Sequence, residues 1–225
     1  MRVLVADDTA ALPDLTGGRI LGTRAAGEAQ LDACYVDTPD LRLGRARVRV
    51  RRDANGADAG WHVDVGQGSS RLQLRFPETR TERVPVAVQR VVGGVARGAA
   101  LEAVARVRTD RQRLHLLDGT GAVLADVGRD RVVATRLADG VRAEWREIAV
   151  RMVEGDVGVR EHIMARLNAS GAAKADLPFR LRLVLGDEDP APESRLSEKS
   201  SAGVVLAAYL GGARAVAALR RATAG

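Results

Sequence analysis

Four arginines alternate with small apolar residues in one short stretch of the sequence, where they could bind an anion. They are Arg45, Arg47, Arg49 and Arg51. Successive side chains of a β-strand point to opposite faces, so a strand here would place all four guanidinium groups on one side. A guanidinium binds phosphate or carboxylate through two parallel hydrogen bonds. The spacing indicates an anion-binding face, and Arg71 and Arg75 repeat it on a second predicted strand.

Arginine also dominates the basic residues of the whole chain. The 225 residues include 35 Lys and Arg against 29 Asp and Glu, a formal net charge of +6. The only lysines are Lys174 and Lys199, so all the other basic residues are arginines. A coding bias toward arginine would give the same skew, so composition assigns the arginines no role. A hydrophobic content of 46% suffices for a core, and the length suggests one large domain or one domain with an appendage.

The composition argues against several classes of protein. Cys34 is the single cysteine, so no internal disulfide forms, and no Cys/His cluster has zinc-site spacing. We therefore expect a reducing, cytoplasmic location. The most apolar stretch, Val204–Leu219, is interrupted by glycine and arginine and is too short for a membrane helix, so no membrane partner is expected. Aromatic residues make up 3% of the chain, too few for a stacking platform, and no nucleic-acid partner is expected.

Short strand-like runs must position these residues. Between Arg42 and about Met152 such runs alternate with turn signals, as antiparallel hairpins require. The predicted strands are Arg45–Arg52, Trp61–Val65, Arg71–Phe76, Val104–Leu117, Val123–Val127, Val132–Leu137 and Val141–Met152. The turn signals are Asn55-Gly56, Asp118-Gly119 and Asp139-Gly140. The stretch Val84–Val92 is compatible with either a helix or a strand.

Helical periodicity follows these strands. Val159, Ile163 and Leu167 recur at helical spacing and predict a helix that ends near Gly171. The remaining predicted segments are a last short strand at Leu181–Leu185, a linker at 187–201 and an amphipathic helix at 202–225. The exposed apolar face expected of that last helix suggests self-association or docking to a partner.

Six short segments of the sequence form a recognisable pattern. They are Tyr35-Val-Asp-Thr-Pro-Asp-Leu41, Gly60-Trp61-His62, Ala105-Arg-Val-Arg-Thr-Asp-Arg111, Val123-Leu-Ala-Asp-Val127, Asp130-Arg-Val132 and Trp145-Arg-Glu-Ile148. In this order they resemble the motifs of CYTH domains, the triphosphate tunnel metalloenzymes, and the resemblance covers residues 1–186. Residues 202–210 look like the first helix of a CHAD domain, a helical, polyphosphate-associated module often fused behind CYTH.

The resemblance implies an α+β fold built on an eight-stranded antiparallel β-barrel, the triphosphate tunnel, with flanking helices. In the family, basic residues hold triphosphate or polyphosphate, and acidic residues hold Mg²⁺ or Mn²⁺ ions that assist attack by water. The positions that match the phosphate-binding residues are Arg49, Arg51, Arg108, Arg111 and Arg180. The positions that match the metal-binding acids are Asp126, Asp130 and Glu147.

The sequence departs from the family at several of these functional positions. The lysine of the signature Glu-x-Glu-x-Lys falls at about Arg2, and both glutamates would precede Met1. Asp53 and Asp64 stand where the family has an arginine and a lysine. The missing glutamates predict poor binding of Mg²⁺ or Mn²⁺ and leave no residue assigned as catalytic. The retained arginines still predict phosphate binding.

Three functions are compatible with these observations. The first is a CYTH-like protein that binds triphosphate or polyphosphate in an arginine-lined tunnel, with weak or no hydrolysis. The second is an active metal-dependent inorganic triphosphatase whose given sequence begins after the true start. The third is a non-enzymatic interaction module that uses the C-terminal helix.

Overall fold

The computed structural model describes residues 2–4, 12–56, 58–66, 72–174 and 184–185. The strands are β1 (Arg2–Leu4), β2 (Gly22–Asp37), β3 (Val48–Asp53), β4 (Gly60–Val65), β5 (Leu72–Phe76), β6 (Glu102–Leu117), β7 (Val123–Arg136), β8 (Arg142–Met152) and β9 (Ala173–Lys174). The helices are α1 (Arg42–Arg45), α2 (Val86–Ala96) and α3 (Val157–Ala169). Arg71, Arg180, the predicted linker and the CHAD-like helix lie outside the described residues. Of the strand predicted at Leu181–Leu185, only the last two residues are described, and they are helical.

The strands pair in the order β5-β4-β3-β2-β6-β7-β8-β1-β9. The pairings of β1 with β8 and β9, of β3 with β2 and β4, and of β4 with β5 are antiparallel. Residues 118–122 and 137–141 join β6 to β7 and β7 to β8, and such loops are too short for a parallel crossover. The antiparallel sheet with few helices is confirmed. The described strands do not close into the predicted eight-stranded barrel, because β5 and β9 each have a single strand neighbour.

The chain divides into two compact units. The first comprises Met1–Leu31, Val107–Ala134 and Arg142–Arg180. The second comprises Asp32–Arg106, Thr135–Val141 and Leu181–Gly225. Each unit has its own cluster of buried apolar side chains. Each therefore has a hydrophobic core that can hold its own polar side chains in place.

The core of the first unit joins α3 to strands of the sheet. Val159, Ile163 and Leu167 are buried in α3. A spacing of four residues places them on one face of the helix. They cluster with buried residues of three strands: Leu116 of β6, Leu124 and Val127 of β7, and Ile148 and Val150 of β8. The predicted helix is confirmed, and it packs through the face that the sequence indicates.

In the second unit, cross-strand neighbours place apolar residues on one face. Val50 of β3 lies opposite Val63 of β4, which in turn lies opposite Leu74 of β5. Trp61 is fully buried in the same cluster, and its Nε1 donates to Thr79 Oγ1 at 3.0 Å. Side chains of α2 belong to this cluster as well. Because strand residues alternate, most polar residues of these three strands share the opposite face, whereas Arg52 lies opposite Trp61 on the apolar face.

The start of β3 differs from the prediction. The helical turn α1 and a left-handed residue, Arg47 (φ 57°), precede the strand. Asp37 stabilises α1 because its carboxylate accepts hydrogen bonds from two backbone N–H groups of that turn, both at 2.9 Å. Of the predicted row of four arginines, only Arg49 and Arg51 therefore lie on the strand.

Other elements extend or resolve the predictions. The two runs predicted at Val123–Val127 and Val132–Leu137 form one strand, β7, because the intervening residues pair in the sheet instead of turning. The sixteen-residue strand β2 was not predicted. The ambiguous stretch Val84–Val92 contains the start of α2, which follows Pro85.

In the part of the chain that the structure describes, no helix is long and apolar enough to cross a membrane.

Asp156 begins α3 and makes stability depend on pH. Its Oδ1 accepts from the Val159 N–H at 2.9 Å, and its Oδ2 accepts from Arg19 at 2.8 Å. The backbone hydrogen bond, aided by Arg19, lowers the pKa of Asp156 below its ordinary value of 3.8. Since the folded pKa is the lower one, the carboxylate stabilises the fold above pH 3.8. That contribution is lost as the pH falls through the folded pKa.

Asp156→Asn tests this dependence because it keeps an oxygen acceptor at the N-cap and removes the charge. We expect the wild type to be more stable than the variant at neutral pH. The difference should shrink when the pH is lowered from neutral to below 3.8. Urea unfolding at both pH values measures it, and a difference that does not change with pH would contradict the assignment.

Candidate anion-binding site

Arg111 and Asp130 form a two-bond ion pair on the adjacent strands β6 and β7 of the first unit. Arg111 Nε donates to Oδ1 at 2.7 Å, and Nη2 donates to Oδ2 at 2.6 Å. The Asp130 side chain has no exposed surface, whereas 20% of the Arg111 side chain is exposed. Two parallel charge-assisted bonds fix the plane of the guanidinium as well as its position. The pair is therefore a rigid part of the polar surface.

Gly128 leaves the space that this ion pair occupies. A Cβ at position 128 would lie 2.7 Å from Arg111 Nε and 3.1 Å from Asp130 Oδ1. Alternate residues of a strand share a face, so Gly128 and Asp130 are neighbours on the same side of β7. The Arg111 guanidinium therefore lies against the strand at the glycine, where a larger residue would displace it.

Asp126 is the next acid along the same side of β7. Its Oδ2 accepts from Arg113 Nη2 at 2.8 Å and from Arg151 Nη2 at 3.1 Å. Burial would raise the pKa of Asp126, but the hydrogen bonds and charges of the two arginines outweigh burial and lower it. Asp126 is therefore a charged carboxylate shared between β6 and β8.

The three predicted metal-binding acids are all engaged with other side chains. Glu147 is fully buried on β8 and accepts from Trp145 Nε1 at 3.3 Å. Asp126 and Asp130 accept from arginines, as above. Among the residues that the structure describes, no three His, Cys, Asp or Glu side chains form a group that could hold a metal ion. Mg²⁺ in proteins usually takes one or two carboxylates together with water and phosphate oxygens, and each of these acids would have to give up a side-chain hydrogen bond to supply one.

A cleft of about 550 Å³ opens beside the Arg111–Asp130 pair, and all its lining residues belong to the first unit. Three consecutive residues from each of β2, β6 and β7 and one residue of β8 line it. The charged lining residues are Arg111, Arg129, Arg131 and Arg146 together with Glu28, Asp110 and Asp130. The lining has four arginines and three carboxylates, and Arg131 also pairs with Glu144 outside the lining, so any excess of positive charge at the cleft is small.

In the second unit, Arg51 is bound by two carboxylates. Its Nε donates to both oxygens of Asp53 at 3.0 and 3.1 Å, and its Nη1 donates to Asp64 Oδ2 at 3.2 Å. Burial would lower the pKa of Arg51, but the charges of Tyr35, Asp53 and Asp64 outweigh burial and raise it. His62 Nε2 lies 3.3 Å from Asp53 Oδ2 on the same face. Arg51 is therefore a structural cation within a buried polar cluster.

The predicted phosphate-binding arginines are divided between the two units. Arg111 lines the cleft, and Arg108 is an exposed residue of the same strand that does not line it. Arg49 and Arg51 lie on β3 in the second unit. Arg180 lies outside the described residues. The structure thus places one of the five predicted residues at the cleft.

Three arginines at the cleft were not among the predicted phosphate-binding residues. They are Arg129, Arg131 and Arg146. Each is the immediate neighbour of a predicted acid: the first two flank Asp130, and the third precedes Glu147. Simple alternation assigns such neighbours to the opposite face of a strand, so it points away from them. The sequence feature that could have identified these three arginines is their position inside or beside the motifs that contain the acids.

The chain resembles two curated proteins and several distant structures. No protein-family model matches the chain. Over 177 residues the chain is 34% identical to an uncharacterized protein found in two strains of Mycobacterium tuberculosis. The alignment covers 72% of this chain and 34% of the relative. The chain therefore spans about a third of the length of the curated relatives that it matches.

Three solved structures are similar at low sequence identity. A protein from Bacillus halodurans described as a "putative adenylate cyclase" has a TM-score of 0.40 and 11% identity, with 64% of this chain and 75% of that chain covered. A protein from Pyrococcus horikoshii has a TM-score of 0.36 and 13% identity, with coverages of 73% and 88%. A "putative adenylate cyclase" from Vibrio parahaemolyticus has a TM-score of 0.33 and 11% identity, with coverages of 68% and 77%.

Gly128→Ala tests the packing of the Arg111–Asp130 pair. The added methyl group would overlap Arg111, so at least one of the two hydrogen bonds must lengthen or break. We expect a loss of about 1–3 kcal/mol in the free energy of unfolding. Denaturant unfolding measures this loss.

Gly93→Ala is the matched control. Gly93 lies inside α2, and a Cβ there would meet no atom within 4 Å. This variant should be more stable than the wild type by about 0.5–1 kcal/mol, because alanine favours helix. Equal effects of the two glycine variants would contradict the tight contact at Gly128.

Arg51→Gln tests the structural role of Arg51. The substitution removes the Arg51 guanidinium from Asp64, whose side chain is 3% exposed. We expect a loss of about 3 kcal/mol in the free energy of unfolding. Arg75→Gln removes one partner of an exposed pair with Asp58 and should cost less than about 1 kcal/mol. Similar losses in thermal or urea unfolding of the two variants would show that Arg51 is not buried in an ion-pair cluster.

Proposed function

We propose that the first unit binds triphosphate or a longer polyphosphate in the arginine-lined cleft, with weak or no hydrolysis. The main observation is that Arg111, Arg129, Arg131 and Arg146 all line one cleft. The CYTH-like sequence motifs support the same class of ligand, because the family that they resemble binds triphosphate through basic residues. The cleft is therefore the site at which we expect the ligand.

The size and the mixed charge of the cleft favour a compact anion with several charges. A volume of about 550 Å³ lies within the range of small-molecule sites. Each hydrogen bond from a guanidinium to a phosphate oxygen contributes roughly 1.5–3 kcal/mol. Glu28, Asp110 and Asp130 oppose part of this attraction. A ligand with one phosphate gains little over the opposing carboxylates, whereas adjacent phosphates can contact several arginines at once.

The engagement of the acids supports binding without efficient hydrolysis. Phosphoryl transfer requires positive charge that stabilises the reacting phosphoryl oxygens, and enzymes commonly supply it through metal ions held by carboxylates. Here Asp130 binds Arg111, and Asp126 binds Arg113 and Arg151. We propose that these acids orient arginines and do not hold a metal. An active triphosphatase remains the alternative, and it predicts metal-dependent release of phosphate.

Calorimetric titration with sodium tripolyphosphate, with and without Mg²⁺, tests the proposal. We expect binding without Mg²⁺ that weakens with added salt, because ions screen the exposed part of the site. Arg146→Gln should weaken binding by about tenfold, the loss expected for one charge-assisted contact. Arg75→Gln, an exposed substitution with the same change in charge in the second unit, should leave binding unchanged.

Two results would contradict the proposal in different ways. If Arg146→Gln binds tripolyphosphate as tightly as the wild type, the cleft is not the site. If the wild type with Mg²⁺ or Mn²⁺ releases phosphate at the turnover typical of enzymes, roughly 1–1000 s⁻¹, the active triphosphatase is the correct function.

A further inference from the structure

We infer that Arg113 and Arg151 form a second anion site in the first unit, and that this site binds a single phosphate group. Asp126 joins the two arginines by hydrogen bonds. The inference goes beyond the proposed function, because none of these three residues lines the cleft. The ligand differs as well, since the cleft is expected to bind several linked phosphates.

Arg151 lies on a face of the sheet that α3 does not cover. In β8, Ile148 and Val150 are buried in the core that includes the apolar side chains of α3. Because side chains alternate along a strand, Arg151 lies on the face opposite these two residues, and also opposite Arg146 of the cleft. A ligand at Arg151 therefore approaches from a different side of the sheet than a ligand at Arg146.

Asp126 brings the two guanidinium groups together. Its Oδ2 accepts from Arg113 Nη2 at 2.8 Å and from Arg151 Nη2 at 3.1 Å. Because both nitrogens bond to one oxygen, the oxygens of a single phosphate group can reach both arginines. A tetrahedral anion suits this arrangement, since its oxygens can bond to two guanidinium planes at once, whereas a carboxylate has two oxygens in one plane.

Both arginines keep hydrogen-bond donors that Asp126 does not use. Arg113 directs Nε and Nη2 at the carboxylate, and Arg151 directs only Nη2 at it. Within the described parts of the chain, Arg113 Nη1 and the Nε and Nη1 groups of Arg151 have no hydrogen-bond partner. A phosphate group can therefore bind to these donors while Asp126 stays in place.

The charge and the exposure of the cluster favour an anion that arrives from solvent. Two arginines share one carboxylate, so one positive charge is in excess. The Asp126 side chain is 11% exposed, whereas those of Arg113 and Arg151 are 36% and 71% exposed. An approaching anion meets the guanidinium groups before the carboxylate. An exposed ion pair contributes little to stability, so Arg151 can turn toward a ligand at small cost.

NMR titration with sodium phosphate tests the inference, because proton–nitrogen spectra resolve the Nε–H groups of individual arginines. We expect phosphate to shift the signals of Arg113 and Arg151 in a saturable manner. Arg151→Gln should weaken this binding by about tenfold, the loss expected for one charge-assisted contact. The variant should fold normally, since Arg151 is largely exposed.

Arg160→Gln is the matched control. Arg160 is an exposed residue of α3 in the same unit, and its substitution removes the same charge. The affinity for phosphate should be unchanged. Equal weakening by Arg151→Gln and Arg160→Gln would show that only net charge matters, and this would overturn the inference.

Titration with sodium acetate at the same ionic strength tests the assigned ligand. We expect acetate to bind at least several-fold more weakly than phosphate, because it has fewer oxygens to share between two guanidinium groups. Equal binding of the two anions would overturn the assignment of a phosphate group.

The titrations separate the inference from the proposed function. If phosphate shifts the signals of the cleft arginines and leaves those of Arg113 and Arg151 unchanged, the inference is overturned and the proposed function stands. If Arg113 and Arg151 bind phosphate but Arg146→Gln does not weaken the binding of tripolyphosphate, the proposed function is overturned and the inference stands.

Discussion

The pairing of buried arginine with aspartate is the constraint on which the polar side of both units depends. A guanidinium cannot lose its charge at any ordinary pH, so an arginine that enters a sheet must bring a counter-ion or a bound anion with it. Arg51 and Arg111 are largely buried, with 17% and 20% of their side chains exposed. Each is met by aspartate oxygens at hydrogen-bonding distance. The acids on the neighbouring strand positions therefore follow from the arginines, because neither partner is stable there alone.

The same constraint has different consequences in the two units. Arg51 is bound by two carboxylates, Asp53 and Asp64, and both stand at positions where the CYTH motif has cations. Arg51 was predicted to bind phosphate, but these two acids hold it in the buried polar cluster of the second unit. Arg111 is bound by Asp130 beside a cleft that three further arginines line. Among the described residues, this cleft in the first unit is therefore where we expect an anionic ligand.

The sequence predicted those parts of the molecule that depend on local periodicity. The hairpin strands from β3 to β8 and the helix α3 were found because alternating or helically spaced apolar residues settle which face is buried. The long strand β2 was missed because residues 22–34 contain few branched or aromatic side chains, and its place is set by pairing with β3 and β6. The turn α1 was missed because Asp37 caps it from a position outside it. Of the arginines at the cleft, the sequence predicted only Arg111. The role of the others was missed because the cleft forms only where three strands come together in the fold.

The net charge of +6 is therefore a poor guide to where an anion binds. Many arginines of the described chain form ion pairs with acids, several of them on exposed turns and strands where they contribute little energy. Burial makes the Arg111–Asp130 pair strong and at the same time removes the carboxylate from contact with solvent. An arginine can attract an anion only where its guanidinium is exposed and its existing partners leave donors available. The exposure and the partners of each arginine therefore say more about an anion site than the net charge does.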